Sequence, residues 1–328
     1  MKKIITTATP QRISFAGGGT DMNYFYEKYE GLVISSTINK YIYVTVKEIN
    51  SLFKEKYRLN YSITEQVENL EDIKNDIARE CIKLLDLKES LYISTTSDLP
   101  ASSGLASSSC FAVGLLNALH QLKGEHVSLA QIAEEACHIE IEVLKKPIGK
   151  QDQYAATFGG INLFNFQKSG KVSIEPIYNN NILELFKNSL LFYTNIQRSA
   201  DTILSDQKSN FENNEQNLLN IKNLGIDFYN TICEEKFNIE KLANLLHMNW
   251  LSKKTLSNKV SNDEIDKNYT LALENGALGG KILGAGGGGF LFIIAPQSKH
   301  NRIIASLTTL KHVEIDFEPI GTRTLLVF

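Results

Sequence analysis

Cysteine is scarce in this 328-residue chain, and no cysteine has a partner at metal-binding spacing. The four cysteines, Cys81, Cys110, Cys137 and Cys233, are far apart and form no CxxC pair. Disulfide frameworks and structural zinc sites need such pairs or neighbouring histidines. We therefore expect buried, reduced thiols, as in a cytoplasmic protein.

The chain also lacks an excess of positive charge and a long apolar run. Its formal net charge of -3 gives no reason to expect nucleic acid as a partner. The apolar start of the chain stops at residues 6–10, and the later run at 290–295 is too short to cross a bilayer. We therefore expect neither a secretion signal nor a membrane partner.

Signatures of common hydrolases are missing as well. The six histidines include no HExxH pair, and no GxSxG elbow occurs. A zinc protease and a Ser-His-Asp hydrolase are therefore disfavoured.

Hydrophobic residues make up 43% of the sequence, which is enough for a large core. Single cores stop growing at roughly 250–300 residues, so we expect two lobes, 1–170 and 171–328. Strand-like runs mix with helical segments at 110–122 and 128–145, and polar helices fill 201–258. This mixture without strict alternation predicts an α+β fold.

The most informative segment is the run of small residues at 98–109, between a strand-like and a helical segment. Small residues let the backbone approach a ligand, and a helix N-terminus attracts phosphate. The run is not a P-loop, because no Gly-Lys-Ser/Thr follows. A polar loop with a serine cap is the alternative, so phosphate binding stays open on the chemistry alone.

Two further glycine-rich loops stand near the ends of the chain. The loop 17–21 reads Gly-Gly-Gly-Thr-Asp, and the carboxylate of Asp21 could accept hydrogen bonds from sugar hydroxyls or cap a turn. The loop 284–289 fits GxGxxG, but an apolar strand follows where the dinucleotide motif needs a helix. The favoured interpretation there is a glycine turn packed against another loop.

Two carboxylates, Glu140 and Asp152, are candidates for a chemical role. Glu140 falls within the apolar stripe of the helical segment 128–145. The stripe consists of Leu129, Ile132, Ala133, Ala136 and Val143. A buried carboxylate must bind a metal ion or pair with Lys or Arg, and both remain open. Asp152, just beyond Pro147, could orient or deprotonate a hydroxyl, or could belong to a surface turn.

Together the three loops resemble the motifs of the GHMP kinase superfamily, which includes galactokinases and homoserine, mevalonate and phosphomevalonate kinases. Residues 10–21 resemble the first motif, 100–109 the second and 283–290 the third, in the family's order. They span nearly the whole chain. The resemblance implies a two-lobed α+β fold, with an N-terminal lobe like the second domain of a small-subunit ribosomal protein and a ferredoxin-like C-terminal lobe.

The resemblance also implies ATP and Mg²⁺ as cofactors, and it assigns roles to residues. Ser108 and Glu140 match the Mg²⁺ ligands. Asp152 matches the catalytic aspartate, and Arg12 the cation beside the transferred phosphoryl group. The implied ATP-binding residues are Pro100, Ser103, Gly104, Leu105, Ala106, Ser107, Ser108 and Ser109. The implied substrate-binding residues are Gly18, Gly19, Thr20, Asp21, Gly286 and Gly287. Lys150 and Arg198 are candidates for cations that hold a phosphate on the substrate.

Within the superfamily, the runs AGGGTD at 16–21 and GKQDQ at 149–153 are most similar to D-glycero-D-manno-heptose 7-phosphate kinases. Galactokinases carry GEHTD in the first motif instead. The resemblance therefore implies the anomeric hydroxyl of a heptose 7-phosphate as acceptor, on the way to a GDP-activated heptose for surface glycans. A fucose- or galactose-type sugar 1-kinase, a non-catalytic sugar-phosphate sensor and a GHMP-type decarboxylase are the alternatives. A homodimer is one option for the oligomeric state.

Overall fold

The computed structural model describes residues 3–50, 52–101, 103–197 and 199–327. Two β-sheets organise the described chain, and helices pack against both. The strands are β1 (Ile4–Ala16), β2 (Gly31–Glu48), β3 (Tyr57–Asn60), β4 (Thr64–Val67), β5 (Leu91–Ser97), β6 (Ile161–Phe166), β7 (Val172–Pro176), β8 (Ser189–Tyr193), β9 (Gly279–Ile282), β10 (Phe290–Ile294), β11 (Lys311–Val313) and β12 (Arg323–Val327). The α-helices are α1 (Asn23–Tyr29), α2 (Asp76–Leu84), α3 (Ser107–Lys123), α4 (Leu129–Cys137), α5 (Gln151–Phe158), α6 (Asn181–Lys187), α7 (Ala200–Ser209), α8 (Phe211–Ile232), α9 (Ile239–Lys254), α10 (Asp263–Glu274) and α11 (Gln297–Ser306). A short 3₁₀ helix spans Leu70–Asp72, and a π-helical segment spans His138–Val143.

The first sheet has the order β12-β1-β2-β5-β3-β4, with β6 beside β2 and β7 beside β6. The 18-residue β2 can hold several partners because its first part pairs with β6 and its second part with β5. The register of β1 against β2 shifts between Pro10 and Arg12. Proline has no N–H for the ladder and is tolerated at such a bulge, which re-aims nearby side chains.

Helix α3 lies directly on the first sheet, and a glycine permits the close approach. Thr7 Oγ1 donates a hydrogen bond of 2.9 Å to the carbonyl oxygen of Gly114. A Cβ at Gly114 would lie only 2.7 Å from Thr9 Oγ1. Apolar residues of α2, α3 and α4 join those of β2 and β5 in one buried core. This packing fixes the position of the N-terminus of α3 relative to β1.

The second sheet has the order β11-β8-β10-β9 and is antiparallel throughout. Every residue of β10 is buried, as expected for a strand with helices on both faces. One face packs against α8 and α9, through residues such as Phe228 and Leu246. The other packs against α7, α10 and α11, through residues such as Ile265 and Ile303.

Phe15 joins the two halves of the molecule. It lies in β1, just before the loop 17–21, and is fully buried. Its ring stacks on Phe228 with centroids 5.4 Å apart and meets the edge of Phe292 at 5.7 Å. Such aromatic pairs add stability beyond the area they bury. The first glycine loop therefore starts at the contact between the lobes.

The α+β prediction is confirmed, and helices and strands appear where the sequence indicated them. The boundary near residue 170 stays a prediction, although β7 and β12 both pair within the first sheet. All four cysteines are free; three are buried, but Cys233 is exposed, so the expectation of burial was wrong for that residue. Among the described helices, none combines the length and apolar character that a membrane span requires.

Candidate active site

A cavity of about 630 Å³ lies where the two lobes meet. The first glycine loop contributes Gly18 and Gly19 to its wall, and the start of α3 contributes the serines of 107–109. Gly284 and Ala285 of the third loop close another side. The three small-residue loops, which are far apart in sequence, therefore converge on one cleft.

The N-terminus of α3 opens into this cleft. Ala106 precedes the helix with a left-handed backbone at φ 67°, which turns the chain sharply into Ser107. Cys110 N donates to Ala106 O at 2.9 Å and makes the first helical hydrogen bond. The N–H groups of a first helical turn have no partner within the helix and carry the positive end of its dipole. This end of α3 is therefore suited to phosphate oxygens.

The third loop packs tightly on the second, as the interpretation of a glycine turn against another loop predicted. A Cβ at Gly284 would lie 2.6 Å from the Cα of Gly104. A Cβ at Gly289 would lie 2.1 Å from the carbonyl oxygen of Ser103. Both third-loop glycines also have positive φ. Glycine is therefore required at both positions for steric reasons as well as backbone freedom.

Glu140 lies behind the serines of α3 and is fully buried, at 0% exposure. Its Oε2 accepts hydrogen bonds of 2.7 Å from Ser109 Oγ and from Gln153 Nε2. Its Oε1 accepts a hydrogen bond from Ser108 Oγ and lies 3.7 Å from Lys146 Nζ. The structure thus contains an ion pair between Glu140 and a lysine, which was one of the two alternatives. It also brings Ser108 and Glu140 together, the two residues matched to Mg²⁺ ligands.

A π turn interrupts the helical segment around Glu140. Leu144 N donates to Ile139 O at 2.9 Å, which is the spacing of a π turn. The predicted apolar stripe is correct at its centre but wrong at its ends, because Leu129 and Val143 are exposed. The π turn shifts the helical phase, which explains why Val143 turns outward while Glu140 stays buried.

The donor set around Ser108 and Glu140 fits Mg²⁺. This ion prefers oxygen ligands and usually combines one or two carboxylates with phosphate oxygens and water. The Ser108 hydroxyl and Glu140 Oε1 are adjacent at the start of α3 and could supply two oxygens. Within residues 3–50, 52–101, 103–197 and 199–327, no cluster of three His, Cys, Asp or Glu could hold a metal alone. Mg²⁺ here would therefore depend on ligand phosphates.

Arg12 and Asp152 form the central charged pair of the cleft. Arg12 is buried at 2% exposure, and its Nε and Nη2 lie 2.8 and 2.6 Å from Asp152 Oδ1. Its Nη1 donates to Gly104 O at 2.8 Å. Asp152 lies in the first turn of α5 and keeps 25% of its side chain exposed, towards the cleft. Arg12 therefore connects the second loop to the predicted catalytic carboxylate.

Asp21 ties the first loop to α5. Its Oδ1 accepts from Gly19 N at 3.0 Å, and its Oδ2 accepts from Gln151 N at 3.2 Å. A Cβ at Gly149 would lie 2.0 Å from that Oδ2, so the approach requires glycine. Burial, and next the nearby charge of Asp152, raise the pKa of Asp21 to about 6. The carboxylate caps its own loop and also lines the cleft.

Sequence reasoning missed two lysines that line the cleft. Lys281 lies on β9 at 2% exposure and donates to Phe15 O at 3.0 Å. Burial, and next the Arg12 guanidinium, lower the pKa of Lys281 to about 7. Lys253 of α9 is also buried and donates to Gly284 O. The available signal was a single lysine between Gly280 and the apolar pair Ile282-Leu283.

Three predicted residues, Thr20, Leu105 and Pro100, are not among those that line the cleft. Thr20 Oγ1 donates to the carbonyl oxygens of Gly17 and Leu32, so it shapes the first loop. Leu105 is a core residue, whereas Pro100 is exposed and its carbonyl accepts from Ser103 Oγ. These residues position the loops.

Gly286 and Gly287, the third-loop residues predicted to contact the substrate, are not among the residues that line the cleft. A Cβ at Gly286 would lie 2.7 Å from Val260 O, and Gly287 N donates to the same carbonyl at 2.6 Å. Both glycines therefore pack on the segment after α9, while Gly284 and Ala285 form the cleft wall. This packing gives them a role in shaping the loop.

The two candidate phosphate-binding cations are placed differently. Lys150 donates to Gly170 O at 2.7 Å and lies 3.8 Å from Glu134 Oε2, outside the cleft wall. Arg198 lies outside the described residues. Its neighbours Gln197 and Ser199 both line the cleft.

Comparisons with known proteins agree with this geometry. The model of the GHMP kinases N terminal domain matches residues 73–160, and that of the GHMP kinases C terminal domain matches 233–311. A D-glycero-alpha-D-manno-heptose 7-phosphate kinase of Campylobacter jejuni is 37% identical over 317 residues, which cover 92% of this chain and 93% of the relative.

Two solved structures have the same fold. A D-glycero-D-manno-heptose 1-phosphate kinase from Bacteroides thetaiotaomicron has a TM-score of 0.80 at 24% identity, covering 99% of both chains. A putative sugar kinase from Campylobacter jejuni has a TM-score of 0.76 at 32% identity, covering 98% of both chains. The GHMP kinase fold expected from the sequence is thus confirmed. The two domain matches and the full-length similarity show that this chain belongs to the GHMP kinase family and is a phosphotransferase.

Proposed function

We propose that this kinase transfers the γ-phosphoryl group of ATP to the anomeric hydroxyl of D-glycero-alpha-D-manno-heptose 7-phosphate. The product would be the 1,7-bisphosphate, an intermediate on the way to GDP-heptose for surface polysaccharide. The 37% identical relative with this activity supports the choice of acceptor. The runs 16–21 and 149–153, which resemble heptose kinases, also meet in space through Asp21 and the backbone of Gln151.

One observation carries the proposed chemistry: the Arg12–Asp152 pair stands in the same cleft as the N-terminus of α3. The helix end would hold the phosphates of ATP, and Arg12 would stabilise charge on the moving phosphoryl group. Arg12 engages Oδ1 of Asp152, so Oδ2 can accept a hydrogen bond from the acceptor hydroxyl.

The proposed transfer is an in-line displacement. The acceptor oxygen bonds to the γ-phosphorus while the bond from that phosphorus to the β,γ-bridging oxygen breaks, which releases ADP. The hydroxyl proton passes to Asp152. An anomeric hydroxyl is more acidic than an ordinary alcohol, so a carboxylate suffices for this step.

We further propose that Ser108 and Glu140 hold Mg²⁺. Mg²⁺ bound with ATP supplies charge neutralisation between the β- and γ-phosphates. Ser109 and Gln153 fix Oε2 of Glu140, which keeps Oε1 beside the Ser108 hydroxyl. These contacts support a preformed pair of oxygens at the phosphate-binding end of α3.

The lobe boundary, the cellular location and the oligomeric state are also proposals. We place the division between the lobes near residue 170 and the protein in the cytoplasm, where ATP is available. A homodimer is the oligomeric state to test, and light scattering after gel filtration would distinguish it from a monomer.

An acceptor screen tests the proposed function. ADP release would be measured with Mg²⁺ and ATP for heptose 7-phosphate, fucose, galactose and mevalonate. We expect heptose 7-phosphate to exceed the others in kcat/KM by about 10²-fold or more, because a site built for a phosphate rejects analogues that lack it. Phosphorus NMR should then show a new phosphate on the anomeric carbon. A higher kcat/KM for fucose or galactose would show that heptose 7-phosphate is not the preferred acceptor. Binding of a sugar phosphate without ADP release would favour a non-catalytic sensor.

A further inference from the structure

Lys281 is a buried lysine of the cleft with no ionic partner among the described residues. It is 2% exposed on β9 and lines the cavity. Among the described residues, its ammonium has one hydrogen-bond partner, the carbonyl of Phe15 at 3.0 Å, and no carboxylate lies within ion-pair distance. An ammonium has three donors. Two donors therefore remain for a group that enters the cleft.

The position of Lys281 beside Arg12 locates that group. Both residues line the same cavity, and the carbonyl that accepts from Lys281 belongs to Phe15, which follows Arg12 by three residues on β1. Arg12 in turn contacts Gly104 of the ATP-binding loop and Asp152, the predicted acceptor-orienting residue. Lys281 therefore adjoins the path between the donor phosphates and the acceptor hydroxyl. Because Asp152 already pairs with Arg12, this carboxylate does not compensate Lys281.

A purely structural role explains Lys281 poorly. A neutral donor could make the hydrogen bond to Phe15 without the cost of burying a charge. A buried charge is retained at low cost only where an opposite charge meets it. A phosphoryl group that carries negative charge on several oxygens would supply that partner and use the remaining donors.

We propose that Lys281 is a second cation of the phosphoryl-transfer centre and contacts the γ-phosphoryl group of ATP together with Arg12. This inference rests on the proposed binding of ATP in the cleft and is independent of which acceptor is used. Lys281 would compensate charge on the equatorial oxygens of the moving group, as preorganised cations do in phosphoryl transfer.

The test compares a triphosphate with a diphosphate. Dissociation constants of AMP-PNP and ADP, both with Mg²⁺, would be measured by calorimetry for the wild type and for Lys281→Gln. Glutamine keeps a neutral donor for Phe15 but removes the charge. We expect AMP-PNP affinity to fall about 10- to 100-fold, as for one lost charge-assisted hydrogen bond, while ADP affinity stays unchanged. Lys281→Arg should recover part of the AMP-PNP affinity.

Three further measurements make the result decisive. Lys267→Met, an exposed lysine on α10, serves as the control and should change neither affinity. If Lys281→Gln does not fold, NMR of wild-type protein labelled at lysine Cε should show a Lys281 shift with AMP-PNP and none with ADP. Equal loss of both nucleotides, or an unshifted Lys281 signal, would overturn the proposal. Selective loss of heptose 7-phosphate binding would also overturn it, because the contact would then be to the acceptor phosphate.

Discussion

Replacing Asp152 with asparagine separates catalysis from nucleotide binding. Asparagine has nearly the same shape and keeps an oxygen for Arg12, but it carries no charge and accepts no proton. Loss of a positioned proton acceptor costs roughly 10²–10⁴-fold in kcat. Because the phosphates would be held by α3, which this change does not touch, AMP-PNP affinity should stay close to that of the wild type.

The same substitution has a predictable effect on stability. Breaking a fully buried ion pair by removing one partner costs about 3–5 kcal/mol. Arg12 is buried, but Asp152 is 25% exposed and asparagine still accepts from the guanidinium. Solvent therefore screens part of the loss, and we expect the free energy of unfolding to fall by about 1–3 kcal/mol.

The assay is steady-state ADP release, with calorimetry for AMP-PNP and urea unfolding for stability. Asp227→Asn on α8 makes the same chemical change at an exposed position and should leave all three unchanged. Near-normal turnover in Asp152→Asn would remove Asp152 from the mechanism. A loss of AMP-PNP affinity that matches the loss of turnover would show that Asp152 organises the nucleotide site instead.

Three other substitutions test separate parts of the account. Glu140→Ala should weaken ATP with Mg²⁺ more than the free sugar phosphate in binding measurements, and equal weakening would favour a structural role. The contribution of Asp21 to the free energy of unfolding should fall by about 2 kcal/mol as pH rises from 4 to 7, because Asp21, whose pKa is raised to about 6, ionises in a buried site; the difference in unfolding free energy between the wild type and Asp21→Asn should change by this amount over that range. Gly289→Ala should lower the free energy of unfolding by about 3 kcal/mol or more, because a Cβ would lie 2.1 Å from Ser103 O. Gly170→Ala, with similar positive φ but more space, should cost only about 1 kcal/mol, and equal losses would contradict the steric argument.

The sequence predicts the parts of this site that depend on local chemistry. The small residues at 98–109 and the serines before an apolar helical stripe indicated a helix N-terminus, and the structure places α3 there. The inward position of Glu140 followed from helical periodicity. Periodicity could not indicate the π turn, because a regular 3.6-residue period assumes bonds from residue i to i−4, and the bond from Leu144 N to Ile139 O departs from that pattern.

Long-range contacts were harder to predict. Local sequence could not indicate the burial of Lys281, because its hydrogen-bond partner, the carbonyl of Phe15, belongs to β1 near the other end of the chain. Substrate contact by Gly286 and Gly287 stays a prediction from the motif, and the structure adds that both pack on Val260. A phosphate-binding role for Lys150 stays a prediction from its charge, and its observed partners Gly170 and Glu134 come from other segments of the chain.

A crystal structure with AMP-PNP, Mg²⁺ and heptose 7-phosphate would test the central claim most directly. The account predicts the γ-phosphorus between the start of α3 and Asp152, with Mg²⁺ on Ser108 and Glu140 and the anomeric oxygen beside Asp152. A nucleotide bound outside the cleft, or an anomeric oxygen remote from Asp152, would contradict it.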